Sequence, residues 1–362
     1  MEVKEGKASI ETKEGVFYNP NMRTLRNISV SFLNAASTEI GSLLDCTSAT
    51  GIRGIRYALE CKAKGVVMLD MNESAYDISV GNAGRNGIGA KVLHTSIQEF
   101  ANTTKAKFDA IDLDPFGTPA PYIFDLMKIS KDGTLLMVTA TDTAVLCGAH
   151  AKACMRIYGA KPMHNELCHE AGLRILIGYI VRDAAQFNFG IEPLLAISDM
   201  HYIRVFLRLK KGANSAAESV GKIGFASACS KCHSFSYSVG FVPVIEMRCD
   251  FCGSEMVFSG PLWLGKLHDK GVVKRMLSDD GLDRHGFELL ERVYQELDLP
   301  FFYVVPKITK YLGIGGVPFE KIIRNLGVEA SRTHFSAEAI KTSAGIEEVV
   351  NAVKKASAKG LL

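Results

Sequence analysis

The segment Asp112–Pro119 carries residues that could activate an amino nitrogen, and it ends an apolar stretch. The exocyclic amine of a nucleobase is a poor nucleophile because its lone pair is delocalised into the ring. Asp114 and the Pro115 carbonyl could each accept an N–H from such an amine, while Phe116 could stack on the base. An ionised Asp114 would also stabilise the charge that develops on nitrogen and could take its proton. The alternative is an Asp-Pro turn that only caps a strand.

A second segment, Asp45–Gly54, follows an apolar stretch and opens a helical pattern. Gly51 permits a tight backbone turn, and Asp70 ends the next apolar stretch, where a carboxylate can accept two ribose hydroxyls. The loop lacks the Gly-x-Gly-x-x-Gly pattern of dinucleotide enzymes, and its polar residues are uncharged. We therefore predict that Asp45, Thr50, Gly51 and Asp70 bind S-adenosylmethionine, which has no phosphate.

Three other positions complete the predicted cofactor site. Arg53 could hold the carboxylate of the cofactor, with Arg56 as the alternative. Ser96 follows the third apolar stretch and could contact the adenine amine, while Ile97 would form a flat apolar wall. A hydrogen-bonded structural serine is an equally good interpretation of Ser96.

Two Cys-x2-Cys pairs predict a zinc site. Cys229, Cys232, Cys249 and Cys252 have the spacing of a zinc ribbon, in which four thiolates close a tetrahedral structural site. Four reduced thiols or a redox pair are the alternatives. The other five cysteines show no ligand spacing and are expected to be buried small hydrophobic residues. They are Cys46, Cys61, Cys147, Cys154 and Cys168.

Short apolar runs that alternate with helical patterns predict an α/β fold in the first half. The runs are Leu43–Cys46, Val66–Asp70, Lys91–Thr95, Phe108–Leu113 and Thr134–Ala140. We expect a mostly parallel sheet with helices on both faces, to which His201–Lys210 adds a late strand. Its alternation would direct Ile203, Val205, Leu207 and Leu209 inward and Tyr202, Arg204, Phe206, Arg208 and Lys210 outward.

The small and polar stretch Lys210–Lys222 predicts a linker between residues 1–212 and a smaller α+β domain of residues 221–362. After the cysteine pairs, Pro306–Leu312 and Pro318–Leu326 could form a helix-turn-helix, followed by a wing at Glu329–Phe335. Two packed helices without a groove-binding role are the alternative.

Composition limits the partners and the location. A formal net charge of +3 neither requires nor excludes a polyanion, so any nucleic-acid surface must be local. No uncharged apolar run is long enough for a membrane span, and the first residues lack a secretory signal. We expect a cytoplasmic monomer without an obligate protein partner.

Several motifs together resemble the archaeal-type tRNA guanine-26 N2-dimethyltransferase family. They are Glu14–Pro20, Ser48–Tyr57, Asp112–Gly117, Thr139–Thr143, Leu146–Gly148, Arg332–Ser336 and Ile340–Ser343. The resemblance implies a class I methyltransferase (Rossmann-like) fold, S-adenosylmethionine as methyl donor, and tRNA as substrate. Methylation would occur twice on the N2 amine of guanine 26, with Asp114 as acceptor in both rounds.

The resemblance also implies roles for individual residues. Phe17 and Arg26 would cover the cofactor, while Arg332, His334 and Lys341 in the second domain would contact tRNA. The chain departs from the family at two points: it has Leu25-Arg26-Asn27 where Asn-Arg-Asp is usual, and Ser96 where an aspartate is expected. These departures weaken the case for an acidic role at residue 27 and for an adenine contact at Ser96.

Two other functions fit part of the pattern. An amino-methyltransferase acting on DNA or protein would use the same Asp-Pro-Phe segment. A zinc-containing nucleic-acid-binding protein without activity would keep the cysteines, although the joint presence of Asp45, Asp70 and Asp114 argues against it.

Overall fold

A computed structural model describes residues 1–37, 39–61, 63–242 and 246–358. The strands are β1 (Glu2–Glu5), β2 (Ala8–Glu11), β3 (Ser42–Asp45), β4 (Gly65–Asp70), β5 (Lys91–His94), β6 (Phe108–Leu113), β7 (Ser130–Ala140), β8 (Phe189–Asp199), β9 (Tyr202–Lys211), β10 (Ile223–Cys229), β11 (Phe235–Val239), β12 (Met256–Trp263), β13 (Tyr303–Val304), β14 (Ala330–Arg332) and β15 (Ala339–Thr342). The helices are α1 (Arg23–Ala36), α2 (Ile52–Glu60), α3 (Glu73–Arg85), α4 (Ile97–Thr103), α5 (Ala120–Lys128), α6 (Thr143–Leu146), α7 (Ala151–Tyr158), α8 (Cys168–Ala185), α9 (Ala213–Val220), α10 (Lys270–Met276), α11 (Arg284–Gln295), α12 (Val305–Leu312), α13 (Phe319–Leu326) and α14 (Ile346–Ala358).

A seven-stranded sheet forms the centre of the first half, in the order β5-β4-β3-β6-β7-β9-β8. The first five of these strands run parallel, and β9 pairs antiparallel with both β7 and β8. The prediction of a mostly parallel sheet with a late antiparallel strand is confirmed. Because the strand order reverses beside β3, the carboxyl ends of β3, β4 and β6 open a crevice there.

The prediction for the outward face of β9 was wrong at three positions. Tyr202, Arg204 and Phe206 are all buried. Helix α1 covers this face, and the Phe32 and Phe206 ring centroids lie 4.6 Å apart. Alternating polarity indicates a half-exposed strand only when one face meets water, and here both faces are covered.

The predicted linker was also wrong, since α9 occupies most of Lys210–Lys222. Its alanines favour a helix, and Ala216 and Ser219 are buried against the sheet. The Ser219 hydroxyl accepts a hydrogen bond from the Ile191 amide at 2.9 Å. The small residues that suggested a flexible connection instead allow close packing of α9 on β8.

The second half contains two three-stranded sheets, β11-β10-β12 and β13-β15-β14. Helix α8 joins it to the first half: Arg174 donates to the carbonyl oxygens of Trp263 and Gly265 at 3.0 Å each. One hydrophobic core runs from the large sheet through α8 to Leu262, Trp263 and Phe301. The predicted domain limits stay a prediction, and residues 359–362 lie outside the described ones.

The predicted helix-turn-helix segment does contain α12 and α13, and β14 lies within the predicted wing. Strand β14 pairs antiparallel with β15, and α13 packs on α14 in a separate apolar cluster. The winged-helix assignment itself stays a prediction. Within the described ranges, no helix has the length and apolar character needed to cross a membrane.

Two glycines differ in the space around them, so an added methyl group should have opposite effects on stability. Gly190 packs against α9, whereas Gly81 faces open space. A Cβ at Gly190 would lie 2.4 Å from the Ser215 carbonyl oxygen, so Gly190→Ala should lower the free energy of unfolding by about 1–3 kcal/mol. Gly81 lies on the exposed side of α3 with nothing within 4 Å, and Gly81→Ala should raise stability by about 1 kcal/mol. Urea denaturation measures both, and equal stability of Gly190→Ala and the parent would contradict the packing of α9.

Candidate active site

The loop after β3 presents hydroxyl groups without partners. Among the described residues, the buried Oγ1 of Thr47, Oγ of Ser48 and Oγ1 of Thr50 make no hydrogen bond. Gly51 has φ +78°, which lets the chain turn into α2 at this point. Buried polar atoms are rarely left unpaired, so this loop is suited to a polar ligand.

Two acidic side chains hold this loop in place. Asp45 Oδ2 accepts a hydrogen bond from the Gly54 amide at 3.0 Å. Asp70, at the end of β4, accepts one from the Ala49 amide at 2.8 Å and one from the Asn72 amide at 2.9 Å. Asp70 therefore lies beside the loop, as the cofactor prediction requires, and its accepted bonds fix the carboxylate.

Asp114 lies just beyond the end of β6, where Arg53 of α2 reaches it. Arg53 Nη2 is 2.5 Å from Asp114 Oδ2, and the Asp114 side chain is 20% exposed. The prediction assigned Arg53 to the cofactor carboxylate, but its guanidinium is bound to Asp114. The other terminal nitrogen, Nη1, has no hydrogen-bond partner among the described residues and lies 3.7 Å from Asp112 Oδ2.

A network of buried charged and polar side chains lies behind Asp114. Arg204, whose side chain is 0% exposed, lies 2.9 Å from Asp112 Oδ1. It also donates to Thr139 Oγ1 at 2.6 Å, and the Tyr57 hydroxyl donates to Asp112 Oδ2. Sequence analysis gave neither Arg204 nor Tyr57 a role at the site, because the alternating pattern of β9 predicted that Arg204 faces outward.

The network sets the protonation of two carboxylates in opposite directions. Burial raises the pKa of Asp114, but the guanidinium groups of Arg53 and Arg204 outweigh it and hold that pKa below its ordinary value. Burial and the nearby Asp112 raise the pKa of Asp45 to about 7. Two arginines thus balance Asp112 and Asp114, while Asp45 is the third carboxylate in the group.

Aromatic rings border the site. The exposed rings of Phe17 and Phe116 meet edge to face with centroids 4.7 Å apart. The segment that precedes the sheet thus reaches the predicted reaction site, although Phe17 and Phe116 lie far apart in sequence.

Arg26 and Arg56 are both held by Glu5 of the β1–β2 hairpin. Arg26 Nη2 lies 2.6 Å from Glu5 Oε2, and Arg56 Nη1 lies 2.8 Å from Glu5 Oε1. All three side chains are buried. Both arginines therefore anchor the N-terminal hairpin, and in this arrangement their guanidinium groups are bound to protein carboxylates.

Ser96 caps the start of α4, and its hydroxyl oxygen accepts a hydrogen bond from the Glu99 amide at 3.1 Å. This contact matches the alternative interpretation of Ser96 as a hydrogen-bonded structural serine. Ile97 is buried in the core beside it. Asp142 lies just before α6, but its side chain makes no capping bond. Instead, the Tyr158 hydroxyl donates a hydrogen bond to the Asp142 carboxylate, and both carboxylate oxygens lie 3.0 Å from the hydroxyl oxygen.

Two of the three predicted tRNA contacts are buried, which corrects that prediction. The side chains of His334 and Lys341 are 0% and 1% exposed, and both bind Glu296. Lys341 also pairs with Glu170 at 3.1 Å. Only Arg332 is partly exposed, with its guanidinium 3.8 Å from the centroid of the Phe319 ring.

The four predicted zinc ligands converge. The sulfur atoms of Cys229, Cys232, Cys249 and Cys252 lie within 4.8 Å of one another. The Cys229–Cys252 and Cys232–Cys249 sulfur distances are both 3.5 Å. Four thiolates around tetrahedral zinc lie about 3.8 Å apart, given Zn–S bonds of about 2.3 Å. The arrangement therefore fits a closed zinc site.

The chain is similar along nearly its whole length to tRNA-modifying enzymes. The sequence profile of TRM, N2,N2-dimethylguanosine tRNA methyltransferase, matches residues 1–354. The Pyrococcus horikoshii protein named tRNA (guanine(26)-N(2))-dimethyltransferase is 38% identical, and the match covers 98% of each chain. Its Thermococcus kodakarensis counterpart is 39% identical over 97% of this chain and 98% of the other. The structure of Trm1 from Pyrococcus horikoshii with S-adenosyl-L-methionine matches with a TM-score of 0.90, at 38% identity, over 98% of this chain and 99% of the other.

Proposed function

The chain belongs to the N2,N2-dimethylguanosine tRNA methyltransferase family, and we propose that Asp114 is the residue that activates the guanine amine. The enzyme transfers methyl groups from S-adenosylmethionine to the N2 amine of guanine 26 in tRNA. The family resemblance and the class I methyltransferase fold predicted from the sequence are confirmed. The observation that supports the role of Asp114 is its ion pair with Arg53 at the carboxyl end of β6.

Asp114 is suited to accept an N–H of the amine because Arg53 occupies one of its oxygens and fixes the carboxylate plane. The Pro115 carbonyl, next along the chain, is the second acceptor. With both N–H groups held, the nitrogen lone pair points away from the two acceptors. After one methylation a single N–H remains, and Asp114 alone suffices to hold it.

The low pKa of Asp114 keeps it ionised throughout the neutral range. A carboxylate beside the amine stabilises the positive charge that nitrogen gains as the new N–C bond forms. Asp114 then accepts the departing proton. Arg53 is a positioning residue: it holds the carboxylate and its charge state but does not itself meet the substrate.

The cofactor pocket is proposed from the loop after β3. The unpaired hydroxyls of Thr47, Ser48 and Thr50 would bind the amino-acid end, and Asp70 the ribose. S-adenosylmethionine supplies an electrophilic methyl group on a sulfonium. Asp45, the third carboxylate, offers a negative charge near this cationic ligand and would lose its proton more readily beside it.

We propose that the guanine base stacks on Phe116, whose exposed ring meets that of Phe17 edge to face. Guanine 26 lies in a structured region, so it must first leave its stack. Arg332 stays the candidate tRNA contact in the second half, and Cys229, Cys232, Cys249 and Cys252 would hold Zn2+ as a structural ion there.

Asp114→Ala should abolish methyl transfer while leaving cofactor binding within about threefold, because the side chain removed faces the amine rather than the loop after β3. Turnover of labelled donor on tRNA and calorimetry with S-adenosylmethionine measure the two effects. Phe124→Ala, at an exposed ring on α5, is the control. Substantial methylation by Asp114→Ala would remove Asp114 from the mechanism.

Arg53→Met should lower kcat on the order of 100-fold and make it fall toward acidic pH. Without the guanidinium, burial raises the pKa of Asp114, so protonation inactivates the acceptor at a higher pH than in the parent. The kcat profile between pH 5 and 8 tests this. Arg85→Met, which removes an exposed ion pair between Arg85 of α3 and Glu11 of β2, should keep the parent profile. An unchanged profile in Arg53→Met would show that Arg53 does not control Asp114.

Cys229→Ser should lose one equivalent of zinc per chain, because three thiolates no longer close the site. Elemental analysis of the purified chain gives the count, with Cys61→Ser as a control at a cysteine outside the cluster. Removal of the ion should also increase hydrogen exchange in residues 229–242 and 246–256, since metal binding contributes to folding. Unchanged zinc content in Cys229→Ser would place the metal elsewhere.

A further inference from the structure

Three ligand-type side chains meet at a place that neither the methyl-transfer site nor the four-cysteine cluster includes. The sulfur atoms of Cys147 and Cys168 and a ring nitrogen of His169 lie within 4.8 Å of one another. The two cysteines are separated by α7 and the loop that follows it, so their spacing in the sequence gave no sign of this cluster. Each of the three side chains is of a type that binds soft or borderline metal ions.

The separation between two of these ligand atoms fits zinc. Cys147 Sγ lies 3.6 Å from His169 Nδ1. With Zn–S of about 2.3 Å and Zn–N of about 2.0–2.1 Å, a sulfur and a nitrogen on one tetrahedral ion lie about 3.6 Å apart. Cys147 and His169 therefore already have the separation that the ion requires, and Cys168 Sγ lies within 4.8 Å of both ligand atoms.

The surrounding elements favour an ionised thiol and hold the ligand residues in place. Cys168 is the first residue of α8, and the free amides at a helix N-terminus stabilise a thiolate. The Cys147 amide donates to the Thr143 carbonyl at 2.7 Å, which holds the end of α6 in place. Both cysteines are half-buried and His169 is exposed, so an ion could enter without unfolding.

We propose that Cys147, Cys168 and His169 form a second zinc site, with water as the fourth ligand. The ion would join the end of α6 to the start of α8. Helix α6 follows Thr141, whose backbone amide and side-chain oxygen both bond to Gly117 in the loop that contains Asp114. Zinc would thereby stiffen the wall behind the reaction site while leaving Asp114 and its partners untouched. A three-ligand site with an open position differs from the closed four-cysteine cluster.

Zinc stoichiometry of the full chain tests the proposal without measuring activity. The reduced protein is stripped with a chelator, titrated with Zn2+ and weighed by native mass spectrometry. The parent should bind two ions per chain, and Cys168→Ser and Cys229→Ser one each. Cys154→Ala, at a buried cysteine of α7, should still bind two. Two ions in Cys168→Ser would overturn the proposal, as would a parent that binds one ion and a Cys229→Ser variant that binds none.

Alkylation locates the ion. In Cys229→Ser, one equivalent of Zn2+ should protect both Cys147 and Cys168 from iodoacetamide, and a chelator should restore their labelling, as read by peptide mass mapping. His169→Ala changes an exposed side chain, and it should weaken the protected site at least tenfold without altering the circular dichroism spectrum. Equal labelling with and without zinc would contradict the site, and so would a Cys147–Cys168 disulfide that forms readily in the presence of the ion.

Discussion

The ion pair between Arg53 and Asp114 is the interaction on which the proposed reaction site depends. A carboxylate at the end of a strand and largely removed from water would ordinarily hold its proton, and a protonated acid is a poor acceptor for an amine. Arg53 and Arg204 reverse this effect and hold the pKa of Asp114 below its ordinary value, so the proposed acceptor is ionised before any substrate arrives. The orientation and the charge of Asp114 therefore arise from the same contact.

The Arg53–Asp114 ion pair depends on a set of buried charges that balance one another. Arg204 is fully buried on β9, and an unpaired guanidinium there would be costly, so Asp112 and the hydroxyl of Thr139 are required as partners. Burial, together with the nearby charge of Asp112, raises the pKa of Asp45 to about 7. Asp45 therefore lies, with a raised pKa, beside a loop that suits a cationic ligand.

A second buried charge group serves a different purpose in the other half. Glu170 of α8 forms ion pairs with both Arg174 and Lys341. Lys341 also pairs with Glu296, and the His334 ring lies 2.7 Å from the same Glu296 carboxylate. Burial raises the pKa of Glu296, but His334 and Lys341 hold it well below its ordinary value. These pairs connect α8, which packs on the catalytic sheet, to the strand that follows the predicted wing. Two of the residues expected to contact tRNA, His334 and Lys341, instead belong to the ion pairs that hold the two halves together.

The sequence alone determined the features that depend on local order. Apolar runs and turns predicted the parallel strands, Cys-x2-Cys pairs predicted the sulfur cluster, and the residues after β3 and β6 predicted the cofactor loop and Asp114, because each is set by neighbours in the chain. Only the tertiary structure decided the partners of the charged residues. Arg53, Arg26, His334 and Lys341 each had a plausible ligand role, yet each binds a carboxylate from a distant segment. The same applies to the burial of Arg204, the docking of α9 and the meeting of Cys147 with Cys168, since long-range packing fixes which side chains lose water and which atoms meet.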